Sequence, residues 1–420
     1  MEIVITIITG VIGNPTIALG LVALIGMLLL RKSAPSILLG VVKTMLGYLI
    51  LMGGAGMIVT ALTPLTDWIR EALGVQGVIP LYWPVYSQTM AQFGTQVALV
   101  FIIGFFVNIL LARITPWPYL GLTVHLQLFW AGFMVVVLDA AHIDGIGMFI
   151  LGGLICGVYY WVVPWISSRF IQPYTKEFAN FVPSIVGVLV TGFFGLFFKG
   201  GKSTEDIELP EGLSWFKDTI VTISVAMFVV NLIFGLAAGI PNIEKEAAGT
   251  YWPTFMVLTS LGFGASVAVI LYGVRMLLAE IIPAFVGISQ KLLPNAKLGL
   301  DYPTIYPFAG TAVILGFLFH LAGSIIATLV MVATHFSPLV VPGVQINFFE
   351  GALIGVYANS RGGLRNVICS CLLIGFILQF GVAFTFPYTG TMVSTGYAYE
   401  AIDFNTIGLV IVKLLSLLHP

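Results

Sequence analysis

The sequence predicts an all-α protein that crosses a membrane many times. Hydrophobic residues make up 59% of the 420-residue chain and charged residues only 8%, whereas soluble domains carry roughly 25% charged residues. The mean hydropathy is +1.06, and apolar runs of about 20 residues, the length that a helix needs to cross the hydrocarbon core, recur from end to end. These runs are apolar on every face, unlike the alternating strands of a membrane barrel.

We predict about eleven spanning helices and one irregular segment. The irregular segment, residues 338–358, is apolar but interrupted by proline and glycine, so we expect it to be broken or re-entrant. The predicted spans cover residues 14–30, 37–62, 92–112, 119–141, 145–168, 181–199, 219–240, 254–281, 307–334, 366–386 and 404–418.

Basic residues in the short loops predict the orientation of the chain. Arg31 and Lys32 lie between the first two spans, and Arg361 and Arg365 precede the tenth. Cytoplasmic loops carry an excess of lysine and arginine, so we expect both loops to face the cytoplasm. The net charge of −1 and the lack of a basic stripe do not indicate a nucleic-acid partner.

Two broken apolar segments, residues 51–85 and 271–310, predict an internal inverted repeat. Each runs from an apolar stretch through a proline to a short element that contains proline and tyrosine, and the next span then opens with Gly-Thr. Paired broken segments in the two halves of a transporter point to a substrate site near the middle of the membrane. The alternative is two unrelated surface hairpins. Four identities share one offset (293 − 73 = 220): Leu51 and Leu271, Gly53 and Gly273, Leu73 and Leu293, Tyr82 and Tyr302.

Two longer blocks carry a resemblance to a known family. The block "GVRMLLAEIIPAFVGISQKLLPNAKLGLDYPTIYPFAGTAVILGF" (273–317) closely resembles the signature region of the ascorbate-type membrane component, EIIC, of the bacterial phosphoenolpyruvate-dependent phosphotransferase system (PTS). The block "LGLVALIGMLLLRKSAPSILLGVVKTMLGYLILMGGAG" (19–56) is similar to the first two spans of that family. In length and segment order the resemblance extends over nearly the whole chain.

The resemblance implies a permease of the bacterial inner membrane. It implies a single membrane-embedded EIIC domain over residues 1–420, whose repeat halves, about 14–112 and 254–334, contribute to a substrate-carrying core and a dimerising scaffold. A homodimer would carry L-ascorbate by an elevator mechanism, and separate EIIB and EIIA proteins would phosphorylate it on the cytoplasmic side. The membrane component would need no cofactor and no catalytic or metal-ligating residue of its own.

This chain departs from the family pattern at several turns. Tyr302 stands where family members commonly have cysteine, and Gly310-Thr311 stands where they have Pro-Asn. The Gly-His-Gln-Gln type element is missing, and "YTKEFANFVPSIVGVLV" (174–190) occupies its region. These turns are expected near the sugar, so the substrate is L-ascorbate or a related sugar acid or polyol.

Asp301 is the first candidate for substrate contact. A carboxylate between two spans is costly unless it is solvated, paired or bound to a ligand. It accepts hydrogen bonds from vicinal hydroxyls, and it matches the aspartate of the family. The alternative is a helix N-cap or a structural ion pair.

Aromatic and histidine side chains complete the predicted site. Tyr302, and Tyr82 and Trp83 in the turn "PLYWP" that ends at Pro84, are suited to stack on a sugar ring and to donate hydrogen bonds, or they anchor the chain at the membrane interface. His125 lies inside the fourth predicted span, and the resemblance implies that it contacts the substrate. An interhelical hydrogen bond is the alternative for His125.

A second function class stays open beside group translocation. An ion-coupled secondary transporter of a polyhydroxylated substrate also uses broken helices, and Asp301, Asp139 or Glu350 would then carry a proton. A membrane enzyme is disfavoured because the sequence contains no His-rich metal cluster, nucleophile elbow or phosphate loop. The three cysteines lie in or beside apolar runs, where packing explains them.

Overall fold

The computed structural model describes residues 14–171, 181–207, 218–291 and 295–418, and all structural statements refer to these ranges. Helices dominate them. The α-helices are α1 Pro15–Leu29, α2 Ala34–Leu73, α3 Tyr82–Ile114, α4 Val124–Ala140, α5 Gly145–Ser167, α6 Leu189–Phe197, α7 Thr219–Ala238, α8 Ile240–Ala247, α9 Trp252–Lys291, α10 Gly310–Ala333, α11 Val344–Thr385 and α12 Ile407–Leu418. The strands are β1 Ile79–Pro80, β2 Tyr119–Gly121, β3 Phe181–Pro183, β4 Lys297–Leu300 and β5 Tyr397–Ala398.

The predicted fold class, an all-α polytopic membrane protein, is confirmed. Within the described ranges, 7 helices are long and apolar enough to cross a membrane: α2, α3, α5, α7, α9, α10 and α11. Four further apolar helices, α1, α4, α6 and α12, contribute apolar stretches of only 10–17 residues. The predicted count of eleven spans therefore stays a prediction, because these short helices alone are below the usual crossing length of about 20 residues.

The predicted broken segment, residues 338–358, is non-helical only in its first part, residues 338–343. Residues 344–358 are helical, and α11 continues to Thr385 with a single non-helical residue, Gly363, at φ +63°. Arg361 and Arg365 lie on either side of this kink, which joins two helical pieces of α11 without an extended loop. The break occurs at Gly363 because the left-handed conformation suits glycine, and because a Cβ there would lie 2.1 Å from the Lys202 carbonyl oxygen. Glycines at 351 and 355 instead let α11 pack closely on α10.

The two broken segments of the predicted repeat also leave the helical conformation later than the sequence predicts. Helices α2 and α9 are 40 residues long each and contain Pro64 and Pro283 without ending there. A proline removes only one backbone hydrogen bond, and membrane helices tolerate it because neighbouring groups satisfy the freed carbonyl. In the second broken segment the α-helix ends at Lys291, and the irregular part contains β4 and the 3-10 helix Tyr302–Phe308.

Short parallel strands bring distant turns together. Strand β4 pairs with β2 and with β3, so that Leu298 lies opposite both Leu120 and Phe181. Strand β1 pairs with β5, with Ile79 opposite Tyr397. Strands β1 and β2 lead into α3 and α4, and β4 leads into the 3-10 helix. The first turns of these three helices consequently lie in one interior region of the molecule.

Candidate functional site

A cavity of about 380 Å³ lies where these first turns meet. Its walls come from the middle of α2, the starts of α3, α4 and α11, and the 3-10 helix. Most of its lining is apolar, and its polar members are Tyr82, Asp301, Tyr302 and Gln345. A mainly apolar pocket with a few convergent polar groups and a volume of roughly 300 to 1,000 Å³ is typical of small-molecule sites. The remaining lining residues are Leu51, Met52, Ala55, Gly56, Val59, Leu126, Phe129, Pro303, Ile346 and Phe349.

Tyr82 lines this cavity and has a fully buried hydroxyl. Its ring stacks on Phe129 with a centroid distance of 4.6 Å and an interplanar angle of 17°. Its backbone N–H donates to Glu400 Oε1 at 3.2 Å, which holds the first turn of α3 in place. Among the described residues, the buried Tyr82 hydroxyl has no hydrogen-bond partner. Buried polar groups are nearly always paired, so an unpaired hydroxyl on a residue of the cavity lining marks a position where a small rearrangement could supply a partner.

Asp301 is an N-cap and also lines the cavity, and its contact with a substrate stays a prediction. It is the N-cap of the 3-10 helix Tyr302–Phe308, and its Oδ1 accepts the Tyr302 N–H at 2.7 Å. It also lines the cavity, together with the buried Tyr302 and Pro303. A carboxylate has room for about four hydrogen bonds, so an N-cap role and a place in the cavity lining are compatible in one side chain.

Gln345 was missed by the sequence interpretation. It lies in the first turn of α11, is 8% exposed and lines the cavity. Its Oε1 has no hydrogen-bond partner among the described residues. The signal in the sequence was weak, because a glutamine beside a proline and a glycine is also common in ordinary loops. Only the continuation of α11 through this segment places the amide at the cavity.

The remaining predicted residues divide into two groups. Pro84 is half-buried in the first turn of α3 and is not among the residues that line the cavity. Trp83 and His125 stand in the first turns of α3 and α4, and their side chains lie outside the described part of the structure. Their predicted contact with a substrate stays a prediction. The same holds for residues 174–180 of the segment that replaces the family's polar element.

Three buried acidic side chains lie next to the cavity. Glu350 on α11 and Glu400 and Asp403 between β5 and α12 are at most 2% exposed. Asp403 accepts the Tyr159 hydroxyl at 2.5 Å and the Val186 N–H at 2.9 Å. Burial raises the pKa of Asp403 to about 7, although these two hydrogen bonds oppose the shift. Sequence reasoning named Glu350 only as a proton carrier and missed the other two.

The arrangement is suited to binding a small polar molecule. Carboxylate, phenol and amide groups converge on one cavity with apolar walls, which matches a compact ligand with several hydroxyl groups. Among the described residues, no group of three or more His, Cys, Asp or Glu side chains is arranged to hold a metal ion. The chemistry that these residues offer is therefore hydrogen bonding.

Comparison with known proteins gives the family. Residues 10–403 match the model of the EIIC-GAT family, described as the PTS system sugar-specific permease component. The chain is also 27% identical over 423 residues to the ascorbate-specific PTS system EIIC component of Mycoplasma pneumoniae (strain ATCC 29342 / M129 / Subtype 1). That alignment covers 87% of this chain and 64% of the relative, so the chain spans less than two thirds of the relative's length. This chain belongs to the PTS sugar-specific permease family, as a multi-pass protein of the bacterial inner membrane.

Proposed function

We propose that this chain binds and translocates L-ascorbate, or a related sugar acid or polyol, as the membrane permease of a phosphotransferase system. One observation carries the proposal. Tyr82 and Tyr302, which are 220 positions apart, line a single cavity with Asp301 and Gln345. The specific name of the Mycoplasma pneumoniae relative supports ascorbate as the first substrate to test.

Each polar group has a distinct role in the proposed complex. Asp301 accepts hydrogen bonds from vicinal hydroxyls, and the Gln345 carbonyl accepts one more. The Tyr82 hydroxyl donates to a ring or side-chain oxygen. Phe129 and the aliphatic side chains of α2 cover the carbon skeleton. This combination of polar and apolar contacts suits a six-carbon sugar acid, because the faces of its ring are less polar than the edge.

The helix ends around the cavity favour a substrate with negative charge. Helices α3, α4 and α11 begin at its wall, and the N-terminus of a helix carries a partial positive charge. No side chain caps the first turn of α11, and that turn contains no acidic residue, so no carboxylate of the turn competes with a substrate for its N–H groups. Transporters with broken helices bind anionic groups in this way. An ascorbate anion fits this pattern better than a neutral hexitol.

The phosphoryl transfer is proposed to take place on partner proteins. A cytoplasmic EIIB protein, itself phosphorylated by EIIA, would receive the delivered substrate and phosphorylate it. The chain would work as a homodimer in which a substrate-carrying core moves against a dimerising scaffold. The family match supports the partner proteins of this proposal, because a permease component is one part of a multi-component system.

The test is a binding series on the purified protein in lipid nanodiscs. We expect saturable binding of L-ascorbate under anaerobic conditions and weaker binding of sorbitol and mannitol, because the two hexitols lack the negative charge. Gln345→Leu keeps the volume but removes the orphaned acceptor, so it should weaken ascorbate binding by about tenfold. Equal affinity for all three compounds, or none for any of them, would contradict the proposed substrate class.

An ion-coupled transporter is a second candidate, favoured by the buried Glu350. Proteoliposomes that contain the chain without EIIB separate the two mechanisms. Group translocation predicts no accumulation of free substrate when a proton or sodium gradient is imposed. Accumulation driven by either gradient would support the second candidate instead.

A further inference from the structure

The segment between α11 and α12 contacts both halves of the cavity. We call residues 396–406 the bridging segment. It is almost entirely buried, and Asn405 braces it internally by donating to the carbonyl oxygens of Tyr399 and Ala401 at 2.9 and 2.8 Å. None of its residues lines the cavity. Its position therefore needs an explanation other than direct contact with substrate.

The bridging segment holds the Tyr82 turn through Glu400. The N–H groups of Ile79 and Leu81 donate to the carbonyl oxygens of Gly396 and Ala398 at 2.9 and 3.1 Å. The next donor along the chain, the Tyr82 N–H, bonds to the Glu400 side chain instead of to backbone. Glu400 thus extends the β1–β5 ladder by one bond up to Tyr82, which lines the cavity.

The other end of the segment is held by Glu350. Its Oε1 accepts the Ile402 N–H at 3.0 Å, and its carboxyl group lies beside the Tyr302 hydroxyl. Glu350 directly follows the cavity-lining Phe349 on α11 and lies five positions after Gln345. The path from Tyr302 through Glu350, Ile402 and Glu400 to Tyr82 therefore joins the two turns of the cavity.

Neither acid has a basic partner in the described part of the chain. The ion pairs there join Lys43 to Glu280, and Arg70 to Asp67 and Glu71. An unpaired carboxylate in a dry interior is strongly disfavoured, and such a group normally takes up a proton. The titratable groups that face Glu350 and Glu400 are, besides the two acids themselves, acidic or phenolic: Tyr82, Tyr302, Tyr306 and Asp403.

We propose that Glu350 and Glu400 are positioning residues that act as uncharged carboxylic acids and hold the Tyr82 and Tyr302 turns at the spacing that the substrate requires. The protonated acid accepts a backbone N–H through its carbonyl oxygen at no charge cost. Ionisation places a negative charge beside two other acids in a buried site, and repulsion then opens the bridging segment. This inference rests on the proposed function in one of its two tests, the measurement of the affinity for L-ascorbate.

The test compares amide and alanine variants of the intact protein in nanodiscs. Glu350→Gln and Glu400→Gln keep the acceptor and the neutral charge, whereas Glu350→Ala and Glu400→Ala remove the acceptor. Two readouts are used: the affinity for L-ascorbate, and hydrogen exchange of the backbone amides of residues 78–86 and 396–406. The exchange is corrected for its intrinsic pH dependence and needs no ligand.

We expect the glutamine variants to match the wild type at neutral pH and the alanine variants to lose amide protection and about tenfold in affinity. As the pH rises above neutrality, the wild type should lose both protection and affinity, and the double glutamine variant should not. The matched control is Asn231→Ala, which removes a buried hydrogen bond to Ser260 between α7 and α9 away from the cavity. It should lower the melting temperature and leave the affinity unchanged.

Three results would overturn the proposal. Alanine variants with wild-type protection and affinity would show that the bonds do not hold the turns. Glutamine variants that lose as much as the alanine variants would show that the negative charge is required. Parallel pH profiles for the wild type and the double glutamine variant would assign the dependence to other groups. The exchange readout decides the matter even where ascorbate itself does not bind, which separates this proposal from the proposed substrate.

Discussion

Asp301 shows how one side chain serves two purposes. It caps the 3-10 helix through Tyr302 N–H and lines the cavity with the same carboxyl group. The cap fixes the orientation of the carboxyl group, so a ligand that it contacted would not have to order this side chain on binding. A cap bond and a ligand contact are therefore compatible at this position, and the sequence alternatives were not exclusive.

Asp301→Asn separates the charge from the shape. The asparagine carbonyl still caps Tyr302, so we expect the fold and the helix content to survive. The lost charge should weaken L-ascorbate binding by roughly 1.5 to 3 kcal/mol, the usual range for hydrogen bonds to charged groups, which is about tenfold to a hundredfold in Kd. Isothermal titration on the purified variant measures this. Unchanged affinity with a lower melting temperature would leave Asp301 with a structural role only.

The buried carboxyl group of Asp403 should make the free energy of unfolding depend on pH. The pKa of an unperturbed aspartate side chain is 3.8, and that of Asp403 in the folded protein is about 7. Between these values the folded protein retains a proton that the unfolded chain has lost, so the free energy of unfolding falls as the pH rises from about 4 to about 7 and then levels off. The full effect is at most about 4 kcal/mol, from roughly 1.4 kcal/mol for each pH unit.

Asp403→Asn should flatten this profile. The asparagine keeps an acceptor for the Val186 N–H and cannot ionise, so the melting temperature above neutral pH should exceed that of the wild type. Thermal unfolding in detergent from about pH 4 to about pH 9 tests this. A variant that keeps the full slope would assign the pH dependence to Glu400 or to another buried acid.

At the scale of elements, the crossing of α2 and α9 places one wall of the cavity. A Cβ at Gly273 would lie 2.4 Å from the Leu51 backbone nitrogen, and a Cβ at Gly47 would lie 2.6 Å from the Leu277 nitrogen. The two backbones therefore touch without intervening side chains, as small residues permit in membrane helices. Leu51 lines the cavity, so this contact sets the position of the α2 wall.

Gly273→Ala should destabilise the protein and also weaken substrate binding. The added methyl group has no room against the α2 backbone, and overpacking of this kind costs about 1 to 3 kcal/mol. Gly53→Ala is the matched control on α2, because nothing lies within 4 Å of a Cβ at that position. We expect the control to melt at or above the wild-type temperature. Equal melting temperatures for both variants would show that the crossing adapts without cost.

At the scale of the whole molecule, two turns far apart in sequence meet at one cavity. Tyr82 begins α3 after β1, and Tyr302 begins the 3-10 helix after β4. In both halves a second helical piece follows, after Phe93 with its non-helical φ of −129° and from Gly310 onward. The inverted repeat stays a prediction, and this shared order of strand, short helix and spanning helix supports it.

The division of labour within a phosphotransferase system predicts that the chain has no kinase activity alone. Purified protein with phosphoenolpyruvate and L-ascorbate should form no phosphorylated product, because the proposed function assigns phosphoryl transfer to separate EIIA and EIIB proteins. Addition of the EIIA and EIIB partners with the general phosphotransferase proteins should start product formation, which is followed by the pyruvate formed or by mass spectrometry of the phosphorylated substrate. Product formed by the chain alone would contradict the assignment of phosphoryl transfer to partners.

The sequence by itself determined the properties that depend on composition and local pattern. Low charge and apolar runs identify a membrane protein because the bilayer excludes unpaired polar groups over the length of a helix. The resemblance in residues 273–317 identified the family, and Asp301, Tyr302 and Tyr82 were selected because polar residues in broken segments are costly without a purpose.

Only the tertiary structure decided what depends on pairing between distant segments. Strands of two to four residues carry too little pattern to be recognised alone, and they exist because a partner strand satisfies their backbone groups. Pro64 and Pro283 do not end their helices, because packing against neighbours outweighs local preference, whereas Gly363 breaks one where a close backbone approach selects its special conformation. The positions of Gln345, Glu400 and Asp403 depend on contacts with residues far away in the sequence, and no local spacing of residues predicts those contacts.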